Sequence, residues 1–255
     1  DGAMDAMRAG AATGQERISI AALPSVAALI LPGAVAALLD DSPDTTVHVR
    51  DSNSGSVQRR VRAGEVDFGL GSFWEDDGEI QMEPLLRDRF GVVCRTDHPL
   101  AASDAPLPIA EMAQFPTLGF AMDTGIRPLL DQVRHAAPGA RAPQLELSNI
   151  TTVGAMLVEG LGITALPYMT YACLAHPALH FRLLDGPVPE REVGLLYRAG
   201  APLGGAAQRL RRQVQAACRA FAADAPLVHA HTCDGARRCF ATTAPEQEAL
   251  GDDTR

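Results

Sequence analysis

The sequence predicts an α/β protein, and three observations carry that expectation. Short apolar or alternating runs of strand length recur along the chain, among them Arg17 to Leu23, Thr45 to Arg50, Val66 to Leu70 and Ile163 to Leu166. Stretches of helical periodicity separate them, and Gly, Pro, Ser and Asn mark the changes. The composition, 255 residues with 47% hydrophobic and 21% charged, is ordinary for one large domain or two small ones. Strands that alternate with helices pack as parallel sheets with helices on both faces.

Each element has a local reason. Arg17 to Leu23 alternates and then turns apolar, as a first strand does. Pro24-Ser25 opens a helix running towards Asp40, with Ser25 placed to cap it and Pro32 placed to kink it. Ser42-Pro43-Asp44 is a turn, and Thr45 to Arg50 is a β-branched second strand. The polar loop Asp51 to Ser56 leads into a helix whose apolar stripe is Val57 and Val61. Gly64 follows its last basic residue, where a positive φ is wanted. Val66 to Leu70 is then a short buried strand, with Gly69 allowing another backbone to come close.

Phe73 to Glu83 is acidic and reads as a surface loop. Pro84 to Arg95 reads as one strand-like run around Phe90–Cys94. A turn at His98-Pro99-Leu100, a short helix from Pro108 and a strand over Pro116 to Phe120 follow. Ile126 to His135 is a helix, Pro138 to Pro143 a Gly/Pro linker, and Gln144 to Leu147 a strand. Ser148-Asn149 caps a helix from Ile150 that Gly160 closes. Strands over Ile163 to Leu166, Phe181 to Leu184 and Val193 to Tyr197 precede an Ala-rich helix over Ala206 to Ala222. Beyond Pro226 the periodicity stops, and residues 225–255 read as a disordered tail.

The run Val61-Arg62-Ala63-Gly64-Glu65-Val66-Asp67-Phe68-Gly69-Leu70-Gly71 after an amphipathic helix resembles the effector-binding domain of the LysR-type transcriptional regulators. Three further segments fit the same family in order: Ile18 to Pro32, Cys94 to Ala101, and Leu157 to Pro167. The resemblance covers about residues 16 to 224. It implies two lobes of doubly wound mixed sheet around a cleft, the periplasmic-binding-protein type 2-like fold. Lobe I is then 16–93 with 192–224, lobe II is 94–191, and 1–15 is the end of a linker helix or disordered. The family's helix-turn-helix has no counterpart in this chain, so any DNA contact is expected through a domain absent from it.

The totals agree with that role. A net charge of −9 repels phosphate backbones, so the chain alone is not expected to bind nucleic acid. No apolar run is long enough to span a membrane, and no secretory signal is visible. Five cysteines, an odd number and widely spaced except for the last two, argue against a disulfide framework and for a reducing, cytoplasmic setting. Peroxide-sensing relatives use a cysteine pair in the second lobe; here Cys173 lies inside it and Cys94 near its entrance. His229, His231, Cys233 and Cys239 crowd the tail, but their spacing fits no standard zinc site, so no metal and no cofactor is expected. There is no G-x-S-x-G elbow, no H-E-x-x-H and no phosphate loop, and catalysis is not expected.

The candidate site is a set of hydroxyls and amides at predicted strand ends and helix starts: Ser25, Ser52, Asn53, Ser54, Ser72, Thr124, Ser148 and Asn149. Helix N-termini offer unpaired N–H groups, and neighbouring hydroxyls complete an anion site. The plainer reading of each is a cap. Ser25, Ser54 and Ser72 fall on positions where the resemblance implies effector contact, and Phe120 and Pro167, with Tyr168, would wall the cleft. Arg50 and Arg127 are possible anion partners, more simply read as surface charges. The expected partner is a small anionic metabolite met by neutral donors, with the domain as a homodimer or homotetramer. The alternative is a solute-binding protein of the same fold serving a transporter.

Overall fold

The computed structural model describes residues 16–75, 78–122, 124–135, 139 and 142–231. Residues 1–15 and the end of the expected tail, with Cys233 and Cys239, lie outside that set. The chain opens with β1 (Arg17–Ala22), α1 (Pro24–Leu29), α2 (Leu31–Asp41), β2 (Thr46–Asp51), α3 (Ser54–Arg62), β3 (Phe68–Gly71) and β4 (Ile80–Asp88). It continues with β5 (Phe90–Arg95), β6 (Leu107–Pro108), β7 (Leu118–Phe120), α4 (Arg127–His135), β8 (Leu145–Leu147), α5 (Ile150–Val158), β9 (Thr164–Pro167), α6 (Tyr168–Leu174) and β10 (Leu179–Asp185). It closes with β11 (Arg191–Arg198), α7 (Gly205–Asp224) and β12 (Val228–Ala230).

The first and last groups of strands form one mixed sheet in the order β12-β4-β11-β3-β1-β2. β1 pairs parallel with β2 and β3, while β11, β4 and β12 add antiparallel strands. The alternation of β1 decides its faces: Ile18 and Ile20 pack under α1, α2 and α7, and Ala21 packs under Val57 and Val61 of α3. The middle strands form a second sheet in the order β6-β10-β5-β9, beside the parallel pair β7-β8. A bridge between Thr117 and Ile163 links that pair towards β9. Val92 and Val93 of β5 are both fully buried because each face of this sheet has its own core.

Several local expectations are corrected. The helix from Ser25 to Asp40 is two helices, broken at Ile30, with Pro32 accepted in the first turn of α2. Ser25 does not cap: the N-cap position belongs to Leu23, and Ser25 lies inside α1. The run from Pro84 to Arg95 is two strands, and the sheet changes at Arg89. Ile80 to Glu83 is strand rather than loop, since β4 pairs along its length with β11. Residues 228–230, inside the stretch expected to be disordered, form β12 on the edge of β4. α6 is a helix beyond those expected, and Pro167 stands at its N-cap. Gly69 admits side chains, not a backbone: a Cβ there would lie 2.7 Å from Val57 Cγ1 and 2.9 Å from Val61 Cγ2.

The end of α3 follows its local chemistry. Gly64 has φ of +68°, with Gly64 N–H bonded to the Val61 carbonyl and Glu65 N–H to that of Arg60. This reversal aims β3 at the centre of the first sheet. Gln58, fully buried in α3, then holds the chain just beyond β3. Its Oε1 accepts from the N–H groups of Trp74 and Glu75 at 2.9 and 3.2 Å.

Candidate functional site

A cavity of about 280 Å³ opens between the two sheets. Leu23, Pro24 and Ser25 reach it after β1, Asp51 to Ser54 at the end of β2, and Ser72 after β3. From the other side come Phe120, Thr124 to Ile126 and Ser148 to Thr151, with Thr170, Cys173 and Arg191 completing the lining. The carboxyl ends of parallel strands are where open α/β sheets leave a crevice, because the helices that follow turn away to either face. The starts of α1, α3 and α5 therefore meet at one place, where the positive ends of the helix dipoles gather.

Nine of the ten sequence candidates line this cavity. Pro167 does not; it is buried at the end of β9, paired with Phe90, and it precedes α6. Tyr168 packs edge-on against Phe181, with ring centres 5.4 Å apart, and is not a lining residue either. Asn53 and Asn149 act as caps, their Oδ1 atoms accepting from Ser56 N at 2.9 Å and Thr151 N at 2.8 Å. Thr124 spends its hydroxyl proton on the Ala121 carbonyl at 2.8 Å, which leaves its oxygen as an acceptor. Ser72 Oγ is buried without a partner among the described residues. Ser54 faces Gly125 so closely that a Cβ on the glycine would lie 2.2 Å from Ser54 Oγ.

Arg127 and Arg50 lie outside the lining. Arg127 is committed to Asp131 at 2.9 Å, Glu146 at 2.7 Å and the Phe120 carbonyl at 2.8 Å. The cation of the cavity is Arg191, at the first residue of β11, with its side chain 3% exposed. Its Nη2 donates to Asp88 Oδ2 at 2.5 Å and to Ser25 Oγ at 3.3 Å, and its Nη1 donates to Thr170 Oγ1 at 3.0 Å. Burial raises the Asp88 carboxyl above its ordinary value; the Arg191 charge and the Met169 N–H pull the other way. The lining thus holds a buried cation beside the neutral donors expected of it. A period-two count finds the missed pair: Arg191 shares its face with Val193 and Leu195, and Asp88 with Leu86. Their charged flanks, Glu190, Glu192, Arg87 and Arg89, disguise both as surface residues.

Cys173 also lines the cavity, with Sγ donating to the Thr170 carbonyl at 3.1 Å. Cys94 lies in the middle of the second sheet and is fully buried. Burial raises both thiols, that of Cys94 to about 11, so neither carries the low-pKa thiolate that makes a cysteine reactive. No helix among the described residues is long and apolar enough to cross a membrane.

Two mixed sheets around a cavity ringed by helix N-termini define a two-lobed, periplasmic-binding-protein-like ligand-binding domain. The chain belongs to the LysR substrate binding domain family, whose model matches residues 11–219. It is 26% identical over 192 residues to the uncharacterized HTH-type transcriptional regulator YbhD of Escherichia coli, covering 75% of this chain and 60% of the relative. It is 28% identical over 196 residues to the uncharacterized HTH-type regulator YfeR of Shigella flexneri, covering 76% of this chain and 62% of that one. The chain therefore spans about three-fifths of the length of these relatives. In fold it is similar to the effector binding domain of QuiR in complex with shikimate, with a TM-score of 0.71 at 19% identity, covering 81% of this chain and 98% of that one. It is also similar to the regulatory domain of Synechocystis PCC6803 CcmR in complex with 2-PG, with a TM-score of 0.72 at 20% identity, covering 80% and 98%. These relatives are regulators, and they lend the transporter alternative no support.

Proposed function

We propose that this chain is the sensing domain of a LysR-type regulator and binds one small anionic metabolite in the cavity between its sheets, without chemistry. The observation that supports the reading most is the convergence of three helix N-termini and one buried guanidinium on about 280 Å³. That size suits a compact metabolite. Positive helix ends and hydroxyls suit one carboxylate or similar group better than a polyphosphate, which would want several arginines. The first sheet stands for lobe I and the second for lobe II, with Ser25, Ser52, Asn53, Ser54 and Ser72 contacting the effector from one and Phe120, Thr124, Ser148 and Asn149 from the other. Ligand then favours one lobe and dimer geometry, and so the placing of DNA-binding domains elsewhere in the whole cytoplasmic protein.

The test is a thermal-shift screen of small acids, with shikimate and 2-PG included, followed by calorimetric titration of Ser25→Ala and Ser54→Ala. Losing a hydrogen bond to a charged ligand should cost about 1.5–3 kcal/mol, roughly ten- to a hundred-fold in affinity. Unchanged affinity in both variants would remove the cavity from the proposal.

A further inference from the structure

The guanidinium of Arg191 is already committed. It donates to Asp88, Ser25 and Thr170, at 2.5, 3.3 and 3.0 Å. Arg191, Ser25 and Thr170 line the cavity, whereas Asp88, fully buried, does not. The guanidinium therefore stands between the Asp88 carboxylate and the cavity, and the two charges do not meet a ligand on equal terms. A hydroxyl carries one proton. Where a guanidinium N–H approaches its oxygen, the O–H proton turns away and is polarised by the bond it accepts. Neither Ser25 nor Thr170 gives its proton to a protein acceptor among the described residues. Both are thus presented as donors to whatever fills the cavity. Thr124 is the contrast, since its proton is already spent on the Ala121 carbonyl.

We propose that Arg191 is the positioning residue that determines specificity in this cavity: it sets the Ser25 and Thr170 hydroxyls as donors, so that a carboxylate is taken in preference to its neutral amide. The inference rests on the reading of the cavity as the effector site. A carboxylate offers only acceptors, and it matches two donors backed by a cation. The NH2 of an amide finds at this end only the second lone pairs of two hydroxyls that already accept from Arg191, and close to that cation it is a poorer match than a carboxylate oxygen. The other ionisable side chains in the lining are Asp51, which is solvent-exposed at the end of β2, and Cys173, whose Sγ is bonded to the Thr170 carbonyl and whose thiol is kept neutral by burial.

The test uses the full chain and three acids, benzoate, glycolate and shikimate, each beside its primary amide, with affinities read by calorimetry. An acid that binds should do so roughly ten- to a hundred-fold more tightly than its amide. In the double variant Asp88→Asn/Arg191→Gln, which leaves no buried charge alone, the ratio should collapse to a few-fold while the amide's affinity changes little. Ser25→Ala and Thr170→Val should each lower the same ratio, and they carry the test if the double variant does not fold. A merely structural role for Arg191 would weaken acid and amide alike and leave the ratio standing, which would overturn the inference. Amides binding as tightly as acids to the unmodified chain would also overturn it, while the cavity would stand as a ligand site. If none of the six probes binds, the effector-site reading fails and the inference falls with it.

Discussion

At the scale of single residues, packing tolerances and burial carry the predictions. Gly69 lies under α3 with room for hydrogen only. Gly69→Ala should cost about 1–3 kcal/mol by overpacking, and part of that should return in a Val57→Ala background. Urea denaturation of the single and double variants checks it; strictly additive costs would mean the two side chains do not meet. The cysteines make a pH-dependent statement. Burial pushes Cys94 to about 11 and Cys218 to about 12, so each stays a neutral thiol as pH rises through the range where an ordinary cysteine ionises. Iodoacetamide at about pH 8.5, near the ordinary thiol value, should label neither in the folded chain and both after unfolding. Peptide mapping distinguishes them from the remaining cysteines. Rapid labelling of either one in the native state would contradict its burial.

At the scale of elements, caps explain where the helices near the cavity begin. Asn53 Oδ1 accepts from Ser56 N and so closes the first turn of α3, which carries Ser54 into the lining. Asn53→Ala should lower stability by about 1 kcal/mol, read as a shift in denaturation midpoint, whereas Asn53→Asp should keep most of it. Asn149 plays the same part for α5, with Oδ1 accepting from Thr151 N and from Thr151 Oγ1. α1 has no such side chain: Pro24 at its first position pre-sets the backbone, and Leu23 N–H is held by the Leu70 carbonyl of β3 at 2.9 Å. Ser25 is thereby free of capping and available to Arg191.

At the scale of the whole molecule, the Asp88–Arg191 pair lies where both connections between the sheets run. Asp88 ends β4 just before the chain leaves the first sheet, and Arg191 begins β11 just after it returns. Asp88 also accepts from Met169 N of α6, at 3.2 and 3.3 Å, so the pair ties that helix to the first sheet. A buried ion pair is costly to break from one side, because the survivor keeps its desolvation cost without its partner. Arg191→Gln alone should destabilise by about 3–5 kcal/mol, and adding Asp88→Asn should restore a large share. A double-mutant cycle by thermal or denaturant unfolding measures the coupling; a double variant no better than Arg191→Gln would show that Asp88 does not depend on the pair.

The sequence by itself determined the α/β class, the order of most elements and the polar residues that follow β1, β2, β3 and β8. Those are local properties: periodicity, a Gly with positive φ, a cap three residues before its partner. It could not determine that Ser25 would accept from an arginine 166 positions away, or that Pro84 to Arg95 would part into two sheets at Arg89. An edge strand such as β12 is equally illegible, since Val228-His229-Ala230 becomes a strand only because β4 offers it an open row of backbone groups. The cavity belongs to the same class of fact. Its residues come from both sheets, and its one buried cation looks like a surface arginine until β11 is paired and one face of the strand is closed. Burial and partnership between distant segments are set by tertiary packing, because only the folded chain removes the water that would otherwise satisfy those groups.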